Sequence, residues 1–299
     1  MKLEQFYFTQ KVIIKKPIGM KKTTQDKLLF TIPKNKKIHI KSQSYNLKQK
    51  LMTELRPLVQ DKNFVIEIFG CSHCKSFIRN SINIGNVKII NRGVSSASMT
   101  GVTRDSSKLQ YKNKVQNVIN NYKKKQKKVY YIFKFGQVDI EYVYFYKTLI
   151  KKETLDKNTF YNSIIDKYIE FLLNIKRTNK IDIIICGSNL ISPTNWKKYV
   201  KSILKLRSLP DDITYKSKQD DVLFFNELLM LKSRENNIKY FDTTNECSKN
   251  GILKKEFVGK DHHYRGAEIR DLSTYKDPYC GYHTHKTFLT KLLSVIDIN

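Results

Sequence analysis

The chain has 299 residues, 40% of them hydrophobic, which is enough to bury a substantial core and excludes disorder throughout. Fifty-six basic residues against 27 acidic ones leave a net charge of +29, which favours anionic surfaces by long-range attraction. Lysine outnumbers arginine 47 to 9, however, and this argues against a dedicated nucleic-acid groove, where the planar arginine fork would be the preferred tool.

In chain order, the opening MKLEQFYFTQKVIIKKP is interrupted by Glu4, Gln5, Thr9, Gln10 and Lys11 and lacks the apolar run of a secretory leader. No uncharged apolar stretch reaches the roughly 18 residues of a spanning helix. The five cysteines, an odd number, read as reduced thiols, and a cytoplasmic location is expected. Short β-prone runs at Phe6 to Phe8, Leu28 to Ile32 and Lys37 to Ile40 suggest an irregular extension or small sheet. Leu47, Leu51, Leu55 and Leu58 then recur at helical spacing. We expect residues 1–60 to form this extension and leading helix, and residues 61–299 to form one α/β domain.

Strands are expected at Phe64 to Phe69, Val87 to Ile90, Val129 to Phe135, Ile181 to Cys186 and Ile238 to Phe241. Between and after them, amphipathic patterns predict helices over Lys108 to Lys128, Asn158 to Ile175, Leu223 to Lys232 and Thr287 to Ile296. Alternation of this kind predicts a single parallel five-stranded sheet flanked by helices, because parallel strands need crossovers.

Ligands of such sheets bind beyond the carboxyl ends of the strands. Those ends carry Gly70-Cys71-Ser72-His73-Cys74, Gly93-Val94-Ser95-Ser96, Gly136-Gln137-Val138-Asp139 and Gly187-Ser188-Asn189, and a polar segment with Asp261-His262-His263 follows the last strand. These blocks resemble, in order, those of the SGNH or GDSL-like hydrolase superfamily. The segment FKFGQVDIEYVYFYK is similar to a virus-like or eukaryotic branch acting on glycan acyl groups.

The resemblance spans roughly residues 64 to 296 and implies a flavodoxin-like sandwich with Ser72 as nucleophile. It also implies that Gly93 lends an oxyanion N–H and that Asp261 and His263 stand in the last block. The chain departs from the pattern at Cys71, where the family has aspartate, and at Val138, where it has asparagine. Asp261 also precedes His263 by two residues instead of three.

Chemically, Ser72 needs a base, and a histidine titrating near neutrality suits that task. His263 is the preferred one, with His262, His283 and His285 as alternatives, and Asp261 would hold the imidazole tautomer. Gln137 and Asp139 are expected to shape the pocket, with His73 lining it. No cofactor or metal is expected. The function expected is removal of a small acyl group, with an acylated glycan or other small ester as partner and transfer to a second hydroxyl as the variant chemistry.

Two readings of other kinds use the same residues. Cys71 and Cys74 form a Cys-x-x-Cys at a strand-to-helix junction, the pattern of a thiol-disulfide oxidoreductase, although no proline lies between Pro57 and Pro193 to face it. A catalytically altered module binding glycan or nucleic acid would use the lysine face and the tyrosines between Tyr130 and Tyr146. The plainest structural role for Ser72 is to cap a helix starting near Cys74.

Overall fold

The computed structural model describes residues 34–125, 127–268 and 279–296. The chain divides into two compact units, residues 1–39 and 40–299. The expected runs at Phe6 to Phe8 and Leu28 to Ile32 lie outside the described residues. Lys37 to Ile40, expected as a strand, lies within helix α1 (Lys34–Leu55). Its few β-prone side chains are outweighed by the lysine, glutamine and leucine that carry helical spacing onward to Leu55.

The second unit contains a six-stranded mixed sheet, ordered β2-β3-β1-β4-β5-β6. Its members are β1 (Val65–Gly70), β2 (Ser81–Ile84), β3 (Val87–Asn91), β4 (Val129–Lys134), β5 (Asp182–Cys186) and β6 (Lys239–Phe241). All five expected strands are present and run parallel. The sixth corrects the five-stranded, all-parallel expectation. β2 pairs antiparallel with β3 through the two-residue turn Gly85-Asn86, a pairing that such a turn favours.

Helices α2 (Met99–Val102) and α3 (Tyr111–Lys123) follow β3. Helices α4 (Lys157–Asn179), α5 (Trp196–Leu204) and α6 (Tyr215–Glu235) lie on either side of β5 in sequence. Beyond β6 come α7 (Thr244–Cys247), a hairpin of β7 (Ser248–Lys249) and β8 (Ile252–Leu253), and α8 (Tyr282–Val295). α4 packs against α6 and α2, and α8 packs against β6 and the turns Arg56–Val59 and Ser72–Ser76. α5 was not anticipated, although Trp196, Tyr199, Val200, Ile203 and Leu204 have helical spacing.

β1 is buried along its whole length as a central strand. Its one charge, Glu67, is 0% exposed and is paired by Arg92 at 2.8 Å and by the Tyr122 hydroxyl at 2.7 Å, so the interruption in the apolar run costs no unpaired buried charge. Register brings Gly70 opposite Lys134, Ile68 opposite Asn91 and Cys186 opposite Phe241, which aligns the strand ends along one edge.

Candidate active site

The site is built where β1 ends. At Gly70 φ is +156°, and a Cβ there would lie 1.9 Å from the Lys134 carbonyl oxygen, so the close approach of β1 and β4 demands glycine. Tyr111 clamps the same corner, accepting from the Gly70 N–H at 3.1 Å and donating to the Arg92 carbonyl at 2.7 Å. The chain then enters a short 3-10 turn, Ser72–Ser76. Asn189, beyond β5, donates to the Ser76 hydroxyl at 3.0 Å and ties that turn to the centre of the edge.

The Ser72 hydroxyl lies 2.8 Å from Nε2 of His263, across 191 residues of chain. That contact replaces the helix-capping role: the N-cap of the turn is Cys71, with no side-chain cap bond. His263 is completely buried, and its Nδ1 lies 3.0 Å from Oδ1 of Asp261. The same oxygen accepts the His263 backbone N–H at 2.8 Å. This Asx-type turn is how a two-residue spacing returns the carboxylate to the ring. The segment is anchored by the Leu190 N–H donating to the Tyr264 hydroxyl at 3.1 Å and by the bridge between Val258 and Tyr264.

Burial alone would raise the Asp261 carboxyl, but its bond to His263 and the imidazole's charge hold it below the ordinary aspartate value. With Nδ1 donating to that carboxylate, Nε2 is free to accept the serine proton.

Other expected residues fall in different places. Gly93 lies against the turn, where a Cβ would sit 2.6 Å from the Cys71 carbonyl oxygen, but its N–H donates to Asn91 Oδ1 at 2.8 Å. The N–H implied for the oxyanion is thus engaged by Asn91 in this structure. The Ser72 N–H, at the start of the turn, makes no hydrogen bond among the described residues. Gln137 likewise spends its amide elsewhere, donating to Glu141 at 2.6 Å and accepting from the Asn189 N–H at 2.8 Å.

Asp139 accepts from the Met99 N–H at 2.6 Å and from the Thr100 hydroxyl at 2.7 Å, so it secures the loop after β3 and does not meet the Ser72 pair. Of the alternative bases, His283 is exposed on α8, and the buried His285 has its Nδ1 3.0 Å from the Ser76 carbonyl oxygen.

His73 does line the pocket, stacked on His263 at 4.1 Å between centroids, while His262 stacks on Tyr199 at 3.7 Å. Burial and then the neighbouring imidazoles push His73 and His262 below the usual histidine value, so both are neutral near pH 7. Glu141 was missed by sequence reasoning. It lies in a π-helical turn, Asp139–Val143, four residues after Gln137, and burial pushes its carboxyl up to about 7 against the Gln137 hydrogen bond.

Ser72, His73, Ser95, Ser96, Glu141 and Tyr199 share a cavity of about 150 Å³. Ser96 adopts a left-handed backbone, φ 64°, on its rim, a conformation that is uncommon outside glycine. A larger depression of about 680 Å³, near Thr100, Arg104, Lys167 and Arg177, is lined by no histidine among the described residues, so the serine–histidine contact directs attention to the smaller one.

The thiol pair does not have the character of a redox site. Cys71 and Cys74 are fully buried free thiols, and burial pushes Cys71 up to about 12 and Cys74 well above its ordinary value. An attacking thiol needs the opposite shift. Of the five tyrosines singled out between Tyr130 and Tyr146, the first two, Tyr130 and Tyr131, are buried and Tyr146 is exposed. No helix among the described residues is long and apolar enough to cross a membrane.

No protein-family model matches the chain, and no curated protein does. Among solved structures, the chain is similar to a candidate platelet activating factor from Streptococcus pneumonia, with TM-score 0.43 and 12% identity over 85% of this chain and 96% of that one. It is also similar to the periplasmic domain of a lipopolysaccharide acetyltransferase from Salmonella ser. Paratyphi A, with TM-score 0.43 and 13% identity over 88% of this chain and 96% of that one.

Proposed function

We propose that the protein is a serine esterase that removes a small acyl group, with an acylated carbohydrate as substrate, through Ser72, His263 and Asp261. The observation that carries this reading is the continuous hydrogen-bonded series from the Ser72 hydroxyl through both nitrogens of His263 to Asp261, opening on a cavity at the carboxyl edge of the sheet.

In this mechanism Ser72 Oγ attacks the acyl carbonyl carbon while its proton passes to His263 Nε2. Asp261 stabilises the imidazolium without taking the proton. The carbonyl oxygen becomes an oxyanion facing the Ser72 N–H, a donor typically worth about 3 kcal/mol in such a site. Collapse breaks the bond to the alcohol oxygen, which takes the proton from His263 as it leaves. Water then attacks the acyl-serine, giving a proton to His263, and collapse breaks the bond to Ser72 Oγ, which takes that proton back as the free acid leaves.

The cavity of about 150 Å³ suits an acyl group of acetyl size. Carbohydrate as carrier is supported by the resemblance of the segment FKFGQVDIEYVYFYK and by the hydroxyls of Ser95 and Ser96 on the rim. Transfer differs only in which hydroxyl reaches the acyl-serine.

An acetylated sugar and an activated acetyl ester test the reading together. Ser72→Ala is expected to lower kcat on both by about a thousandfold or more with an unchanged melting temperature, and His263→Ala nearly as much, their losses not adding. Undiminished turnover in Ser72→Ala would overturn the reading, as would the absence of any turnover by the folded native chain. Release of free acetate, compared with acetyl appearing on an added acceptor sugar, separates hydrolysis from transfer.

A further inference from the structure

We propose that His73, His262 and Glu141 form a binding site for a divalent transition-metal ion of zinc type on the wall of the Ser72 cavity. The donors already converge. His73 Nε2 lies 3.8 Å from Glu141 Oε1 and His262 Nε2 lies 3.9 Å from Glu141 Oε2, and one ring nitrogen from each of His73, His262 and His263 lies within 4.8 Å of the others. Ligands held about 2.0–2.2 Å from a tetrahedral zinc stand roughly 3.3–3.6 Å apart, so each gap to Glu141 needs to close by only a few tenths of an ångström.

The same distances are too long for hydrogen bonds, so the three groups face one another without satisfying one another. All three are buried to within 3% exposure. Nδ1 of His73 and Nδ1 of His262 have no hydrogen-bond partner among the described residues. An imidazole nitrogen of each histidine faces an oxygen of the one carboxylate between them, a donor set that a bridging cation satisfies.

Glu141 and His262 have supporting contacts, whereas the Nδ1 atoms of the two histidines have no hydrogen-bond partner among the described residues. Gln137 donates to Glu141 Oε1 at 2.6 Å and is itself fixed by the Asn189 N–H, and Tyr199 stacks on His262 at 3.7 Å. Such outer contacts orient ligands and are part of their affinity. His263, the third histidine of the cluster, is not a ligand here, because Ser72 occupies its Nε2 and Asp261 its Nδ1. Two imidazoles and one carboxylate favour zinc, cobalt or nickel over magnesium or calcium, and three ligands leave a coordination position open to the cavity. An ion there would hold a substrate oxygen beside Ser72. The inference stands on the donor geometry and does not require that the protein be an esterase.

Cobalt(II) titrated into the full chain after chelator treatment tests it, with absorption as readout. The expected result is one equivalent bound in a tetrahedral ligand field without thiolate charge-transfer bands, displaced by zinc, with a rise in melting temperature on loading. His73→Gln, His262→Gln and the nearly isosteric Glu141→Gln should each weaken binding by roughly tenfold or more. Ser72→Ala should bind as the native chain does, even if no ester is ever turned over. Melting of each variant without metal guards against misfolding, and Glu141→Gln, which preserves shape, decides the matter if a histidine variant unfolds. No binding, thiolate bands, or affinity unchanged in Glu141→Gln would each overturn the proposal.

Discussion

Asp261 uses one carboxylate oxygen for two partners, the backbone N–H and the ring Nδ1 of His263, and this economy lets a short spacing work. Buried histidines elsewhere behave differently. His285 is fully buried beside the Ser76 carbonyl, and burial lowers its pKa to about 4. In the unfolded chain it would titrate near 6.5, so between roughly pH 6.5 and 4 the unfolded state binds more protons. Stability therefore rises with pH across that window and is lost as pH falls through it, by about 3 kcal/mol for this one residue. His73 and His262 are lowered in the same sense and add to the slope. Melting curves of the native chain and His285→Asn, followed from neutral pH downward, should diverge in slope, with the variant less acid-sensitive. Parallel curves would show that His285 takes no part.

At the scale of elements, the corner between β1 and the Ser72 turn leaves no room for a side chain. Any side chain at residue 70 meets the Lys134 carbonyl at 1.9 Å and the Cys74 sulfur at 2.6 Å. Gly70→Ala should therefore cost more than the roughly 1–3 kcal/mol of ordinary overpacking, because backbone on the neighbouring strand must move. Chemical denaturation measures this directly. An alanine variant as stable as the native chain would mean that the corner is looser than its geometry. The five parallel strands were legible because each is a short apolar run closed by a turn residue. β2 was not, because Ser81 and Asn83 alternate with its buried isoleucines and only half of it looks like a strand. Glu141 was hidden for a related reason: in one dimension it is an ordinary charge in a tyrosine-rich stretch, and only the π-helical turn brings it between His73 and His262.

For the whole molecule, the relevant boundary is the N-terminal one. α1 buries Leu47, Leu51 and Leu55, and the turn after it buries Val59, all at 8% exposure or less. Full burial of such side chains is worth about 1.5–3 kcal/mol each. A chain beginning at Ile40, where the second unit starts, is expected to keep its melting temperature, whereas one beginning at residue 61, the boundary expected from sequence, should lose solubility and cooperative unfolding. Equal stability of the two truncations would refute this. The net charge of +29 does not enter that comparison; it governs salt-sensitive association with anions, not the packing of the core.

Sequence by itself determined the order of the five parallel strands, and with it the edge at which Ser72, Asp261 and His263 are found, because hydrophobic period and turn chemistry are local properties. Which histidine faces Ser72, whether the N–H of Gly93 is free, and how three buried side chains meet at Glu141 were decided only by tertiary structure. These depend on hydrogen bonds and packing between segments far apart in the chain, 191 residues in the case of Ser72 and His263, and no local pattern records them.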